Sequence, residues 1–206
     1  MDILTSDLEK QGYRLLDRLE HDQLAPFIQL YLYKKRTSYA YLYYGANLIA
    51  LGLIPALFLK GNSAGNFEFG EGFYRLGLGF ALAFALVPLH EYIHVLAYRS
   101  QGARNTSYAM DLKKFIFLAV ADRFVADRKE FRVVALAPFA VISGILLAAM
   151  PFAGTLWSFT LAGILFTHTA FCAGDFGLLG YFRYHRDKTV VTYDDAGEKV
   201  SYFFGR

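Results

Sequence analysis

The stretch AYLYYGANLIALGLIPALFL, residues 40–59, carries no charged side chain and has about the 20 residues that a bilayer-spanning helix needs. A second apolar segment follows at residues 76–98. Residues 133–174 then lack Asp, Glu, Lys and Arg over roughly twice the length of a bilayer crossing. Because Pro151 and Gly154 interrupt that run, we expect two helices joined by a tight turn. The sequence therefore predicts about four transmembrane helices.

The overall composition also favours a membrane protein. Of the 206 residues, 55% are hydrophobic, which exceeds the usual share in soluble domains. The single cysteine, Cys172, excludes an internal disulfide and gives no sign of an oxidising compartment. Lysine and arginine form no basic patch apart from the hydrophobic segments, so we expect no nucleic-acid partner. The oligomeric state stays open.

Three regions are predicted along the chain: a polar segment at residues 1–37, a four-helix transmembrane domain at residues 38–182 and a tail at residues 183–206. The predicted fold class is all-α, with a small β-hairpin between spans two and three. In the first region, Ser6-Asp-Leu-Glu9 is a capping-box pattern that is expected to open an amphipathic helix. The apolar positions of that helix are Leu8, Leu15, Leu16 and Leu19.

The loop between spans two and three contains the stretch TSYAMDLKKFIFLAVADRFVAD, residues 106–127. Charged residues interrupt it too often for a span, and its β-branched and aromatic residues predict an extended hairpin. The pattern Asp127-Arg-Lys-Glu130 is typical of a helix start, here that of span three. A strand edge in this loop could hold a peptide in extended form by backbone pairing, and a solvent-exposed loop is the alternative.

The distribution of lysine and arginine predicts the orientation in the membrane. Six of these residues lie in the N-terminal segment, eight in the loop at residues 99–132 and five from Arg183 onwards. The connection after span one has only Lys60, and the turn near Gly154 has none. By the positive-inside rule, both termini and the 99–132 loop are expected to face the cytoplasm of a bacterial cell, with the protein in its cytoplasmic membrane.

The stretch VPLHEYIHVLAYR, residues 87–99, contains the motif HExxH at His90-Glu91-Tyr92-Ile93-His94. On a helix, the two imidazoles lie one turn apart on the same face and can reach one zinc ion. Glu91 is then placed to take a proton from the attacking water, whose pKa the ion lowers. Two histidines that only form hydrogen bonds within a helical bundle are the alternative. Pro88 and Pro138 are expected to bend spans two and three and to open polar space near the motif.

A hydrolytic zinc site needs a third protein ligand, and the stretch THTAFCAGDFG of span four offers three candidates. His168, Cys172 and Asp175 have the spacing i, i+4 and i+7, which places them on one face of a regular helix. Counted from the flanking arginines, Asp175 has about the same depth as the motif histidines, whereas His168 lies roughly 10 Å deeper. Asp175 is therefore the favoured ligand, with His168 or Cys172 as alternatives and a polar packing role open for His168.

The order of several short segments resembles a bacterial family of membrane zincin peptidases and, more distantly, the site-2 proteases. The segments are PLHEYIH, ALAPFAVIS, CAGDFGLLGYF and the tail YDDAGEKVSYF, and the resemblance covers roughly residues 80–206. It implies a polytopic metalloprotease whose zinc is held by His90, His94 and Asp175. The chain lacks the Asn-Pro and Leu-Asp-Gly pattern of site-2 proteases around the aspartate.

These patterns favour a zinc metalloprotease that hydrolyses peptide bonds of a peptide or membrane-anchored protein substrate, with Glu91 as the catalytic base. Two alternatives remain. A non-catalytic scaffold or regulator would keep the ion for folding in a closed site with four ligands. A metal or haem carrier would use the paired histidines for transport.

Overall fold

The protein is described from a computed structural model, which covers residues 3–65, 68–111 and 116–206. The described chain is mostly helical. Its helices are α1 (Ile3–Lys10), α2 (Leu24–Gln29), α3 (Ser38–Ala64), α4 (Phe69–Ala85), α5 (Val87–Ser100), α6 (Arg128–Ala149), α7 (Thr155–Phe171) and α8 (Ala173–Tyr184). Its strands are β1 (Arg14–Glu20), β2 (Thr106–Asp111), β3 (Ile116–Ala121), β4 (Ala126–Asp127), β5 (Val190–Asp195) and β6 (Val200–Gly205).

The chain forms two compact units. The first, called the sheet unit, comprises Met1–Ala40, Glu91–Ala137 and Gly174–Arg206. The second, called the helical unit, comprises Tyr41–His90 and Pro138–Ala173. Helices α3, α5, α6 and α8 each contain residues of both units, so the sequence segments of the two units alternate along the chain.

In the helical unit, α4 and α7 pack closely because glycines on both helices let the backbones approach. A methyl group on Gly163 would lie 2.5 Å from the carbonyl oxygen of Leu76 and 3.1 Å from the Cα atom of Gly79. A methyl group on Gly79 would collide with the carbonyl oxygen of Thr160. Small residues at such crossings are the usual means of helix association in membranes.

Helices α3 and the segment Arg128–Phe152, which contains α6, are long and apolar enough to cross a membrane. Two further pairs, α4 with α5 and α7 with α8, pass the same test only if each bent pair is counted as one span. The described chain thus has two to four candidate spans, compared with the four expected. Helices α3 and α6 expose large apolar side chains along their length, which suits contact with lipid. These side chains are Leu48, Ile49, Leu51 and Leu59 on α3 and Val141, Ile145 and Leu147 on α6.

The predicted continuous span two is broken at Leu86, between α4 and α5. Pro88 lies in the first turn of α5, where backbone N–H groups have no partner within the helix, so its lack of an N–H costs α5 no hydrogen bond. For the same reason Pro88 cannot donate a hydrogen bond to a carbonyl at the end of α4, and α4 cannot continue regularly through it. The predicted bend of span two is confirmed at this break. Span four is likewise broken, at Cys172 between α7 and α8.

The sheet unit contains a four-stranded antiparallel sheet with the strand order β1-β6-β5-β4, which the all-α prediction did not include. Within residues 183–206, the chain ends α8 at Tyr184 and then forms the hairpin of β5 and β6. That hairpin buries aromatic side chains completely or nearly so. Its buried aromatic residues are Tyr193, Phe203 and Phe204.

The predicted amphipathic helix at the N-terminus is wrong beyond residue 10. Helix α1 begins at Ile3, so Ser6 and Glu9 lie inside it and do not cap its start. It ends before Gly12, whose φ of 86° is a left-handed conformation that glycine adopts at little cost. The remaining leucines of the pattern, Leu15, Leu16 and Leu19, lie on β1, because pairing with β6 outweighs the local helical pattern.

The hairpin between spans two and three is confirmed, because β2 pairs antiparallel with β3. Its turn, residues 112–115, lies outside the described residues. The capping pattern at the start of α6 is confirmed too: the Asp127 carboxylate accepts hydrogen bonds from the N–H groups of Lys129 (2.7 Å) and Glu130 (2.9 Å). In return, Glu130 Oε2 accepts the N–H of Asp127 at 2.8 Å.

We expect Gly163→Ala to lower the free energy of unfolding by about 1 to 3 kcal/mol, because the added methyl group overpacks the crossing of α4 and α7. The matched control is Gly144→Ala on α6, where the methyl group meets no atom within 4 Å. This control should gain roughly 0.5 to 1 kcal/mol from helix propensity. Thermal unfolding of both variants in detergent tests the difference, and equal stability would contradict the close packing.

Candidate metal centre

Helix α5 carries the three residues of the HExxH motif in its first two turns. His90 and His94 are four residues apart on this helix, so their side chains leave it on the same face. The N–H of His90 donates to the carbonyl oxygen of Leu86 at 2.8 Å, which fixes the helix start just before the motif. Both histidines are buried, each with 8% of its surface exposed.

The orientation of His94 depends on a backbone carbonyl of α6. His94 Nδ1 lies 3.0 Å from the carbonyl oxygen of Val134, and because a carbonyl oxygen only accepts, Nδ1 is the donor. In a regular helix this carbonyl would accept the N–H of residue 138, but that residue is Pro138 and has no N–H. The proline thus leaves the Val134 oxygen for the imidazole, which turns His94 Nε2 towards α8.

Asp175 lies in the first turn of α8, where a carboxylate is stabilised by the helix dipole. Its Oδ1 is 3.1 Å from His94 Nε2, and both side chains are largely buried, with exposed fractions of 14% and 10%. His94 Nδ1 carries the proton that it donates to the Val134 carbonyl, so in the neutral ring Nε2 has a lone pair and no proton. The ionised Asp175 carboxylate is likewise only an acceptor, and two acceptors do not attract each other. A shared cation or a second proton on the ring is needed between these two atoms.

The donor chemistry at this point fits a zinc ion. An imidazole nitrogen and a carboxylate oxygen are zinc ligands, and the imidazole has the orienting hydrogen bond on its other nitrogen that metal-bound histidines usually have. His90, one turn earlier on α5, adds a second imidazole to the same helical face. The ligand assignment to His90, His94 and Asp175 stays a prediction.

The carboxylate of Glu91 is fixed by the hairpin. Its Oε2 accepts the backbone N–H of Ala119 on β3 at 2.7 Å. The N–H of Asp122 donates to the carbonyl oxygen of Asn105 at 2.9 Å, one position beyond the end of the hairpin ladder. Because hydrogen-bonded and non-hydrogen-bonded pairs alternate along an antiparallel ladder, Ala119 and Tyr108 form a non-hydrogen-bonded pair, and the Ala119 N–H points away from β2. No residue pattern signals this contact, because the register of a hairpin against a helix depends on tertiary packing.

His168 and Cys172 lie beside His90 in the helical unit. His90 Nδ1 is 3.3 Å from His168 Nε2, and Cys172 Sγ is 4.0 Å from the same nitrogen. The span that was expected to carry His168, Cys172 and Asp175 on one face is not a regular helix, because it is bent by 40° at Cys172. The depth estimate that separated His168 from the level of His90 assumed regular helices and fails for the same reason.

Comparison with models of protein families gives a match to this chain. Residues 83–190 match the model of a protein family described as "Putative zincin peptidase". This range is 108 residues long and therefore covers just over half of the 206-residue chain. No curated protein and no solved structure matches.

Pro138→Ala tests the dependence of His94 on the Val134 carbonyl. We expect the new N–H of residue 138 to compete for that oxygen and loosen the imidazole, which should weaken zinc binding by about 10-fold. Pro55→Ala in the interior of α3 is the matched control and should bind zinc like the parent. Competition with a chelator measures the affinities, and unchanged affinity in the Pro138 variant would contradict the orienting role.

Proposed function

Because the chain belongs to the zincin peptidase family whose model it matches, we propose that it is a membrane-embedded zinc metallopeptidase that hydrolyses peptide bonds. The observation that carries this proposal is the contact of the second motif histidine, His94, with Asp175. HExxH alone offers two ligands, and this contact supports Asp175 as the third ligand that a hydrolytic site requires.

In the proposed site, His90, His94 and Asp175 hold the ion. Bound zinc supplies a Lewis acid that polarises the scissile carbonyl and lowers the pKa of water towards neutrality. The Val134 carbonyl keeps the proton of His94 on Nδ1, so that Nε2 is available as a ligand. Asp175 supplies negative charge from a helix start, where its cost in an apolar surrounding is reduced.

Glu91 is the proposed general base. Its carboxylate takes a proton from the attacking water and passes it to the amine that leaves when the peptide bond breaks. The hydrogen bond from Ala119 N–H to Oε2 holds the carboxylate in one orientation, which limits the reorganisation that proton transfer needs. Glu91 is adjacent to a metal ligand in sequence, and its proposed task is proton transfer only.

The proposed substrate is a peptide or a membrane-anchored protein in extended conformation. A peptide chain fits because β2 and β3 form a two-stranded sheet among the described residues, so that an edge remains for backbone pairing. On β3 the N–H of Ala119 is already used by Glu91, which favours the outer edge of β2 for that pairing.

The two non-catalytic alternatives differ from the peptidase in what Glu91 does. A scaffold or a carrier needs the metal ligands and does not need a base. The proximity of His168 to His90 is the one observation that favours a closed site of the scaffold type. Substitution of Glu91 therefore separates these functions.

We expect Glu91→Gln to retain zinc and fold like the parent while peptide cleavage falls by at least about 100-fold, because the amide keeps the shape and removes the base. Asp175→Asn is the matched comparison: the loss of an anionic ligand should weaken zinc binding as well as cleavage, and added zinc should restore part of the activity. Cleavage in reconstituted bilayers and metal content are measured on the same samples. Undiminished cleavage by the Glu91 variant would refute the peptidase proposal.

The proposed location is a bacterial cytoplasmic membrane, with both termini and the hairpin on the cytoplasmic side, as the lysine and arginine distribution favours. In a Cys172→Ala background, single cysteines at Asn62 and Gly154 should react with an impermeant thiol reagent added from outside. Cysteines at Arg104 and Lys188 should react only after permeabilisation. If cysteines at positions 104 or 188 react in intact cells, the orientation in the membrane is the opposite of the proposed one.

A further inference from the structure

Three side chains of the helical unit bring two imidazoles and a thiol together. His90 lies in the first turn of α5, His168 in the last turn of α7, and Cys172 at the C-terminal cap of α7. All three are buried, with exposed fractions of 8%, 2% and 0%. One ligand atom from each can be chosen so that the three atoms lie within 4.8 Å of one another.

Two of the three separations can be compared with the edges of a metal coordination polyhedron. His90 Nδ1 and His168 Nε2 are 3.3 Å apart, and two nitrogens bound to tetrahedral zinc at about 2.0 to 2.1 Å are also about 3.3 Å apart. Cys172 Sγ is 4.0 Å from His168 Nε2, compared with about 3.5 Å for a nitrogen and a sulfur on the same ion. A side-chain shift of half an ångström or so closes this difference.

The chain places these ligands by two local features. Cys172 follows His168 by four residues, so both side chains lie on one face of the last turn of α7. The helix ends at this residue, and the N–H of Cys172 still bonds to the His168 carbonyl at 3.2 Å. The position of Sγ is therefore fixed relative to the His168 ring by the helix itself.

We propose that His90, His168 and Cys172 form a second metal site, with two nitrogens and one sulfur, that binds a thiophilic ion such as zinc or copper(I). Zinc and copper ions prefer thiolate and imidazole donors, whereas magnesium and calcium prefer oxygen donors. Binding releases the thiol proton of Cys172 and replaces it with the ion, so a buried thiolate is formed only together with its counter-charge.

This site has a consequence for activity that rests on the proposed function. His90 is a ligand in the proposed catalytic site, and in the helical unit its Nδ1 faces His168. An ion bound by His168 and Cys172 therefore also binds His90 Nδ1, the nitrogen that faces them. This binding changes the orientation or the charge of a proposed catalytic ligand. An excess of thiophilic metal should then inhibit cleavage.

The test is a cobalt(II) titration of the full-length protein in detergent, followed by absorbance. Cys172 is the only cysteine of the chain, so a thiolate-to-cobalt charge-transfer band in the near ultraviolet can come from no other residue. We expect this band in the parent and its loss in Cys172→Ser. In His168→Gln, the cobalt concentration at which the band is half-developed should rise by about 10-fold or more.

Asp175→Asn is the matched control, because it alters the proposed catalytic site and should leave the band in place. Metal binding is measured without any cleavage assay, so failure of the peptidase proposal does not affect the result. No thiolate band in the parent at saturating cobalt would overturn the proposal and leave His90 and His168 as a hydrogen-bonded pair. If the band in His168→Gln develops at the same cobalt concentration as in the parent, the assigned ligand set is overturned.

Discussion

The carbonyl oxygen of Val134 is the acceptor on which the arrangement of the metal centre depends. Pro138 removes its helical partner, and His94 Nδ1 takes the place of that partner at 3.0 Å. A buried carbonyl without a donor would cost free energy, and so would a buried imidazole without an acceptor. The two requirements satisfy each other, and the ring is left with only Nε2 directed at Asp175. One proline thus determines which nitrogen of His94 faces Asp175.

The features that residue patterns predicted are those that depend on neighbours in sequence. The apolar run at residues 40–59 lies within α3, the capping pattern from Asp127 to Glu130 starts α6, and the loop before it forms the hairpin of β2 and β3. The spacing of His90 and His94 needs only a helix. Each of these follows from periodicity, capping or turn chemistry over a short stretch, so tertiary contacts had little to override.

The features that were missed depend on partners far along the chain. The leucine pattern at residues 15–19 reads as a helix until β6, more than 180 residues later, pairs with it as a strand. The contact of Glu91 with Ala119 depends on the register of a hairpin against a helix. The signal for the hairpin of β5 and β6 was present, since two runs of β-branched and aromatic residues flank Ala196-Gly197.

The two helix breaks have a common effect on the cost of polar groups in an apolar environment. Helix α5 begins three residues before His90, and α8 begins two residues before Asp175. The first turn of a helix carries N–H groups without intrahelical partners and the positive end of the helix dipole. A carboxylate such as Asp175 is therefore stabilised at a helix start, whereas in the middle of an unbroken span it would be close to the most costly position. An unbroken span four would have kept the sequence pattern and lost this stabilisation, so the break at Cys172 lowers the cost of a carboxylate at this position.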